Sequence, residues 1–222
     1  MATSPGSLPG SLPGSPPGSL PESLFWERRG GRGAEHALVD THAGLVARGT
    51  MVAVDPVGYT ATYAVRTDAS WVATLLDVSV EGAGWARTLR LEAEGGRWRA
   101  GTSERGDLDA ALRGAQHAGA GLPGLEDPDL LAGACDVELS GSALLSTPAI
   151  RRLGLLDAEP GVAHRVSAAW VQVPSLEVLQ ADLIYTALGD GRVRVASETF
   201  SVDLSVDAAG FVRERPGLAT RI

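Results

Sequence analysis

The sequence predicts a mainly β fold, and three observations carry that expectation. Apolar residues alternate with polar ones over run after run, as a half-buried strand requires. Gly- and Asp-containing turn segments separate the runs at short intervals. Helical periodicity is confined to two short stretches, Leu108–His117 and Ser142–Leu156.

The β signal starts at Leu24. Val57–Arg66 sets Tyr59, Ala61, Tyr63 and Val65 on one face and Thr60, Thr62 and Arg66 on the other. Trp71–Val80 follows a turn containing Asp68, and Trp85–Ala93 places Trp85, Leu89 and Leu91 together. Glu94-Gly95-Gly96 reads as a hairpin turn into Arg97-Trp98-Arg99. These runs form an antiparallel meander. Residues 101–130, rich in Gly, Ala, Asp and Pro, interrupt it and are expected to be a loop-like insertion around the Leu108–His117 patch. Strands resume at Ala134–Leu139, Arg165–Val173, Leu176–Leu188 and Arg192–Val206, with a last one at Phe211–Arg213. Val193 and Val195 share one parity, whereas Phe200, Val202, Leu204 and Val206 take the other, so a break or bulge is required near Ser197-Glu198-Thr199. In Ser142–Leu156, Pro148 either kinks a helix or confines it to later residues.

Residues 1–23 repeat a Pro-Gly-Ser-Leu theme and are expected to be a disordered tail ahead of one domain over 24–222. The 222 residues, 44% hydrophobic, suffice for one sizeable core. The lone Cys135 builds neither a disulfide framework nor a thiolate metal site, which fits a reducing cytoplasm. No run approaches a membrane span, and the Pro-broken N-terminus does not resemble an export signal. A net charge of -8, with every basic residue an Arg, argues against a nucleic-acid partner.

No nucleophile elbow, phosphate loop, dinucleotide fingerprint or zinc-ligand pair occurs, so no catalytic residue, metal ligand or cofactor is assigned. His36, His42, His117 and His164 read as solvated or loop histidines. A dispersed Ser-His-Asp arrangement stays open, because geometry alone defines it. Asp136 and Glu138, two apart on a strand, project from one face. They could hydrogen-bond sugar hydroxyls, although a solvated face or a partner for a nearby Arg is the plainer reading. Arg151 and Arg152 diverge on any regular backbone, so one can turn inward to a carboxylate such as Asp136 while the other meets solvent or an anionic ligand. Trp26, Tyr59, Tyr63, Trp71, Trp85, Trp98, Trp170 and Tyr185 are either core or the rim of a ligand mouth.

Several blocks, taken in order, resemble the bacterial putative glycolipid-binding proteins. They are Phe25-Trp26-Glu27-Arg28 with Glu35-His36-Ala37-Leu38, then Cys135-Asp136-Val137-Glu138-Leu139 leading through Ser146-Thr147 to Ile150-Arg151-Arg152-Leu153. Ala168-Ala169-Trp170 with Pro174-Ser175-Leu176, and Gly210 through Arg215-Pro216-Gly217-Leu218, complete the series. The resemblance runs from about residue 24 to the C-terminus outside the insertion. It implies a spiral β-roll, a long antiparallel sheet wrapped around one helix, with the shape of lipoprotein-localisation carriers, and a lipid or glycolipid ligand in its concave interior. It supplies no catalytic residues. Four positions depart from the family pattern: Ser146 stands for Asn, the proline of a Leu-Pro-Ile-Arg-Arg stretch is displaced to Pro148, Arg215 stands for an aromatic and Ala219 for a Trp.

The resulting expectation is a non-enzymatic cytoplasmic binder of a lipid or glycolipid, with a homodimer admitted. Its ligand residues would be Asp136, Glu138, Arg151, Arg152, Trp170, Trp71 and Glu35. A small hydrolase of lipid or sugar esters, and a packed interaction module with no ligand, are the alternatives.

Overall fold

The computed structural model describes residues 22–222; the Pro-Gly-Ser-Leu stretch before Glu22 lies outside the described residues. Glu22 and Ser23, expected in the tail, already belong to the first strand. In chain order the strands are β1 Glu22–Arg28, β2 Gly33–Asp40, β3 Val46–Ala53, β4 Tyr59–Thr67, β5 Ala73–Gly82, β6 Trp85–Glu94 and β7 Arg97–Gly106. After helix α1 (Leu108–Gly114) come β8 Asp136–Leu139, helix α2 (Thr147–Arg152), β9 Ala163–Val171, β10 Val178–Gly189, β11 Arg192–Ala196, β12 Ser201–Val206, β13 Val212–Arg215 and β14 Ala219–Arg221.

All 14 strands form one sheet in the order β7-β6-β5-β4-β3-β2-β1-β14-β13-β12-β11-β10-β9-β8. The N-terminal meander therefore meets the C-terminal meander through the β1–β14 pair, where Trp26 lies opposite Arg221. Every neighbouring pair is antiparallel except β8–β9. That pair is parallel because the chain leaves the end of β8 and must return to the level of its start before β9, a crossover that passes through α2.

The sheet does not close edge to edge; it rolls until its two ends overlap. β8 shows why. Although it is an edge strand, Asp136, Val137, Glu138 and Leu139 are all buried, so a second layer must cover one of its faces. Hydrogen bonds identify that layer as the N-terminal half: Ala73 N to Cys135 O at 2.8 Å, Trp98 Nε1 to Ala134 O at 3.0 Å, and Arg87 Nη1 to Ser175 O at 3.0 Å.

The interior of the roll is filled by the chain itself. Every residue from Ser142 to Ile150 is buried. The antiparallel alternation puts the turns on two rims. The upper rim carries Gly141, the β9–β10 connection, the β11–β12 turn and the β13–β14 turn; the lower rim carries the β4–β5 turn and the Asp207–Gly210 turn. The buried segment runs from the upper rim at Gly141 to the lower rim at Leu153.

Several expectations are refined by the structure. β7 is ten residues long, so strand continues through Gly106, into the 101–130 stretch read as a loop. The expected helical patch is α1, whose Leu108 and Leu112 are its buried face and whose N-terminus is capped by Asp107 accepting from Ala110 N. The expected helix at Ser142–Leu156 is confined to Thr147–Arg152, preceded by a 3₁₀ turn at Leu144–Ser146. Pro148 sits in its first turn, where a missing N–H costs nothing. The parity switch near Ser197 is a full reversal: β11 and β12 pair antiparallel, with Val195 opposite Val202. No helix of the described residues is long and apolar enough to cross a membrane.

Candidate binding site

Two buried glutamates hold the central segment from opposite walls. Glu35, on β2, accepts from Tyr63 Oη at 2.6 Å, Ser142 Oγ at 2.5 Å and Ala143 N at 2.6 Å. Gly49 makes this contact sterically feasible: a Cβ there would lie 2.1 Å from the Tyr63 ring, which crosses β3 to reach β2. Glu138, on β8, accepts from Tyr185 Oη at 2.8 Å and is also hydrogen-bonded by Ser146. Each wall thus contributes a Tyr–Glu pair, and the segment answers with a serine, Ser142 or Ser146. Burial pushes both glutamates above their ordinary range. The donors oppose it at Glu35; the positive Arg215 and the Tyr185 hydroxyl oppose it at Glu138. Both phenols are pushed well above their ordinary value by burial and by the adjoining carboxylate.

Asp136 and Glu138 are therefore not a solvated face. Each is only 2% exposed, because β8 is covered on both sides. Asp136 pairs with Arg152, while its second oxygen Oδ1 is buried without a protein partner. The divergence expected of the two arginines is realised. Arg152 turns inward to Asp136, and Arg151 lies over the Trp71 ring on the lower rim, 4.8 Å from its centroid.

The upper rim brings together residues from six strands, β8 to β13. Register places Glu138, Trp170 and Leu179 in one row across β8, β9 and β10. Trp170 is half-buried and packs on Phe200 with ring centroids 6.0 Å apart. Leu179 is 43% exposed, an apolar side chain at an open end. Between β12 and the β13–β14 turn the strands separate, since pairing of β12 with β13 reaches only Ser205 and Val206. A cavity of about 660 Å³ opens there, lined by Phe200, Val202, Arg215 and Leu218 together with the rim pair Arg194–Asp203. Arg215 acts on Glu138 through its charge without an ion-pair contact. The mouth therefore presents aromatic and aliphatic surface beside the Arg215 guanidinium, with the Glu138 carboxylate buried behind it.

Of the seven residues expected to bind ligand, Trp170 borders this mouth through Phe200, Glu138 in the same row is buried behind it, and Asp136 pairs with Arg152 nearer the lower rim. Glu35 is committed to the opposite wall, and Trp71 and Arg151 stand on the other rim. Sequence reasoning did not assign Phe200, Tyr185 or Arg215 to the site. Phe200 could have been found from the parity switch, which places it at the start of a strand beside a turn. Tyr185 could have been found from its shared parity with the inward Leu183. One Ser–His contact occurs among the described residues, Ser23 Oγ to His36 Nε2 at 3.0 Å, on the exposed outer face of β1–β2 and with no carboxylate on the imidazole.

No curated protein matches the sequence. Among solved structures, a DUF1089 family protein from Pseudomonas aeruginosa shares the fold with a TM-score of 0.64, at 24% identity over 85% of this chain and 92% of that one. The sequence model of the family described as "Putative glycolipid-binding" matches residues 23–221. With the match spanning nearly every strand of the roll, the chain belongs to that family.

Proposed function

We propose that the protein binds a glycolipid-type amphiphile at the upper-rim mouth, without transforming it. The observation that carries this reading is the cavity lined by Phe200, Val202, Arg215 and Leu218, with Trp170 packed on Phe200 at its edge. A sugar hydroxyl can accept from the Arg215 guanidinium that lines the cavity. The C–H face of a pyranose packs on an aromatic ring, and Leu179, Val202 and Leu218 offer apolar surface to the first part of an alkyl chain. The roll's own segment fills the interior, so the chain of the ligand is assigned to the rim and not to the core.

The test is calorimetric titration with octyl glucoside below its micellar concentration. Saturable binding is expected, weakened about tenfold or more by Trp170→Ala or Arg215→Met, which corresponds to about 1.4 kcal/mol. No glucose should be released. Binding that is equal in both variants overturns the site, glucose release turns the reading to hydrolysis, and a folded wild type that binds no alkyl glycoside favours a packed interaction module.

A further inference from the structure

We propose that Trp71 and Arg151 form a second site, on the lower rim, for an oxyanion of the phosphate-monoester type. It is separate from the mouth and does not depend on that reading.

Trp71 is where the argument starts. Its φ is +66°, a left-handed conformation that a bulky side chain adopts only when its surroundings impose it. Asp68 imposes it. The Asp68 carboxylate accepts from Ser70 N at 2.8 Å and Val72 N at 3.0 Å, and its carbonyl accepts from Trp71 N at 3.0 Å. The facing wall is built the same way. Asp207 Oδ1 accepts from Ala209 N and Phe211 N, each at 2.9 Å, and so presents the Ala209 carbonyl to Arg151 Nη1 at 3.1 Å. Between these walls Gly210 has φ +86°, and a Cβ there would approach Arg151 Cδ to 3.0 Å, so the glycine leaves the arginine stem its path. The guanidinium is thus stacked on an indole on one side and fixed by a carbonyl at one nitrogen.

What remains is the Nε/Nη2 edge, which has no protein partner among the described residues. The same edge of Arg194 shows what it donates to: Nε and Nη2 hold the two oxygens of Asp203 at 2.6 and 3.0 Å. Arg152, Arg87 and Arg221 each have a carboxylate within ion-pair distance, and Arg151 has none. Asp157 lines the same concavity of about 270 Å³, beyond ion-pair distance of the guanidinium. A planar, pre-oriented fork on an aromatic ring matches a bidentate oxyanion.

The experiment titrates inorganic phosphate into the protein at constant ionic strength maintained with chloride. Saturable binding is expected, reduced at least about tenfold in Arg151→Gln and in Arg151→Lys, since an ammonium cannot form the fork. Asp157→Asn should bind phosphate as tightly or more tightly. The urea denaturation midpoint, measured on the same Arg151→Gln sample, should stay close to that of the wild type and reports that the fold is intact. Octyl phosphate provides the second arm: Arg151-dependent binding tighter than that of phosphate identifies a lipid-borne anion, and equal binding identifies a free one. Absence of saturable phosphate binding by the wild type, equal binding in Arg151→Gln, or weaker binding in Asp157→Asn overturns the site.

Discussion

A buried carboxylate is expensive unless enough donors surround it, and Glu35 has Tyr63, Ser142 and the Ala143 amide. Removing one donor leaves the others and exposes the charge to an apolar wall. Tyr63→Phe and Ser142→Ala should each lower stability by about 1–3 kcal/mol at neutral pH, read from urea denaturation. The loss should shrink in acid, where Glu35 is protonated and needs its donors less. The pH dependence has a definite sign. Glu35 and Glu138 both sit above the ordinary glutamate value of 4.5, so the folded state holds their protons more tightly than the unfolded state does. Unfolding then releases protons, and the contribution of these groups to stability is fully present below the ordinary value and lost as pH rises through the raised one. Comparing wild type with Glu35→Gln and Glu138→Gln isolates this effect from the exposed acids. The wild-type stability relative to each variant should fall as pH rises through that window. A constant difference would mean that burial does not raise these carboxyls.

At the level of strands and helices, much was legible because a strand with one wet face writes its alternation into the sequence. β4, β5 and β6 lie within two residues of the expected runs Val57–Arg66, Trp71–Val80 and Trp85–Ala93. β8 was legible as a strand but not as a covered one. Alternation reports one buried face, and Asp136 and Glu138 are polar residues on a strand buried on both, because the far end of the sheet lies over it. Long-range overlap leaves no local mark. The same holds for the site: Arg215 and Glu138 are far apart in sequence, and only the roll makes them neighbours. Ser146 and Arg215, two departures from the family pattern, both act on Glu138. Gly49 illustrates a mark that is local in cause and distant in purpose. Gly49→Ala should cost about 1–3 kcal/mol by pushing the Tyr63 ring off its path to Glu35. Gly101→Ala, on β7 with open space around its Cβ position, should change stability by no more than about 0.5 kcal/mol in the same denaturation measurement.

For the whole molecule, the decisive contact is where one end of the sheet lies over the other. An open sheet of this length has two free edges, and overlap protects one of them without closing a barrel. Arg87 is the fastener. It is almost fully buried, binds Glu104 through Nε at 2.9 Å and Nη2 at 2.7 Å on the neighbouring strand, and reaches across the seam to the Ser175 carbonyl. The backbone bond from Ala73 to Cys135 and the indole bond from Trp98 to Ala134 complete the seam toward the lower rim. Arg87→Ala removes a side chain that ties β6, β7 and the β9–β10 connection together, so the seam should loosen before the rest of the sheet does. Amide hydrogen exchange should accelerate in β8 and β9, while the β1–β14 junction, held by its own ladder and by Trp26 Nε1 on Val212 O at 2.8 Å, keeps its protection. Global stability should fall by about 1–3 kcal/mol in urea. Uniform acceleration across all strands would show instead that the roll opens only by unfolding as one unit, with the overlap inseparable from the core beneath it.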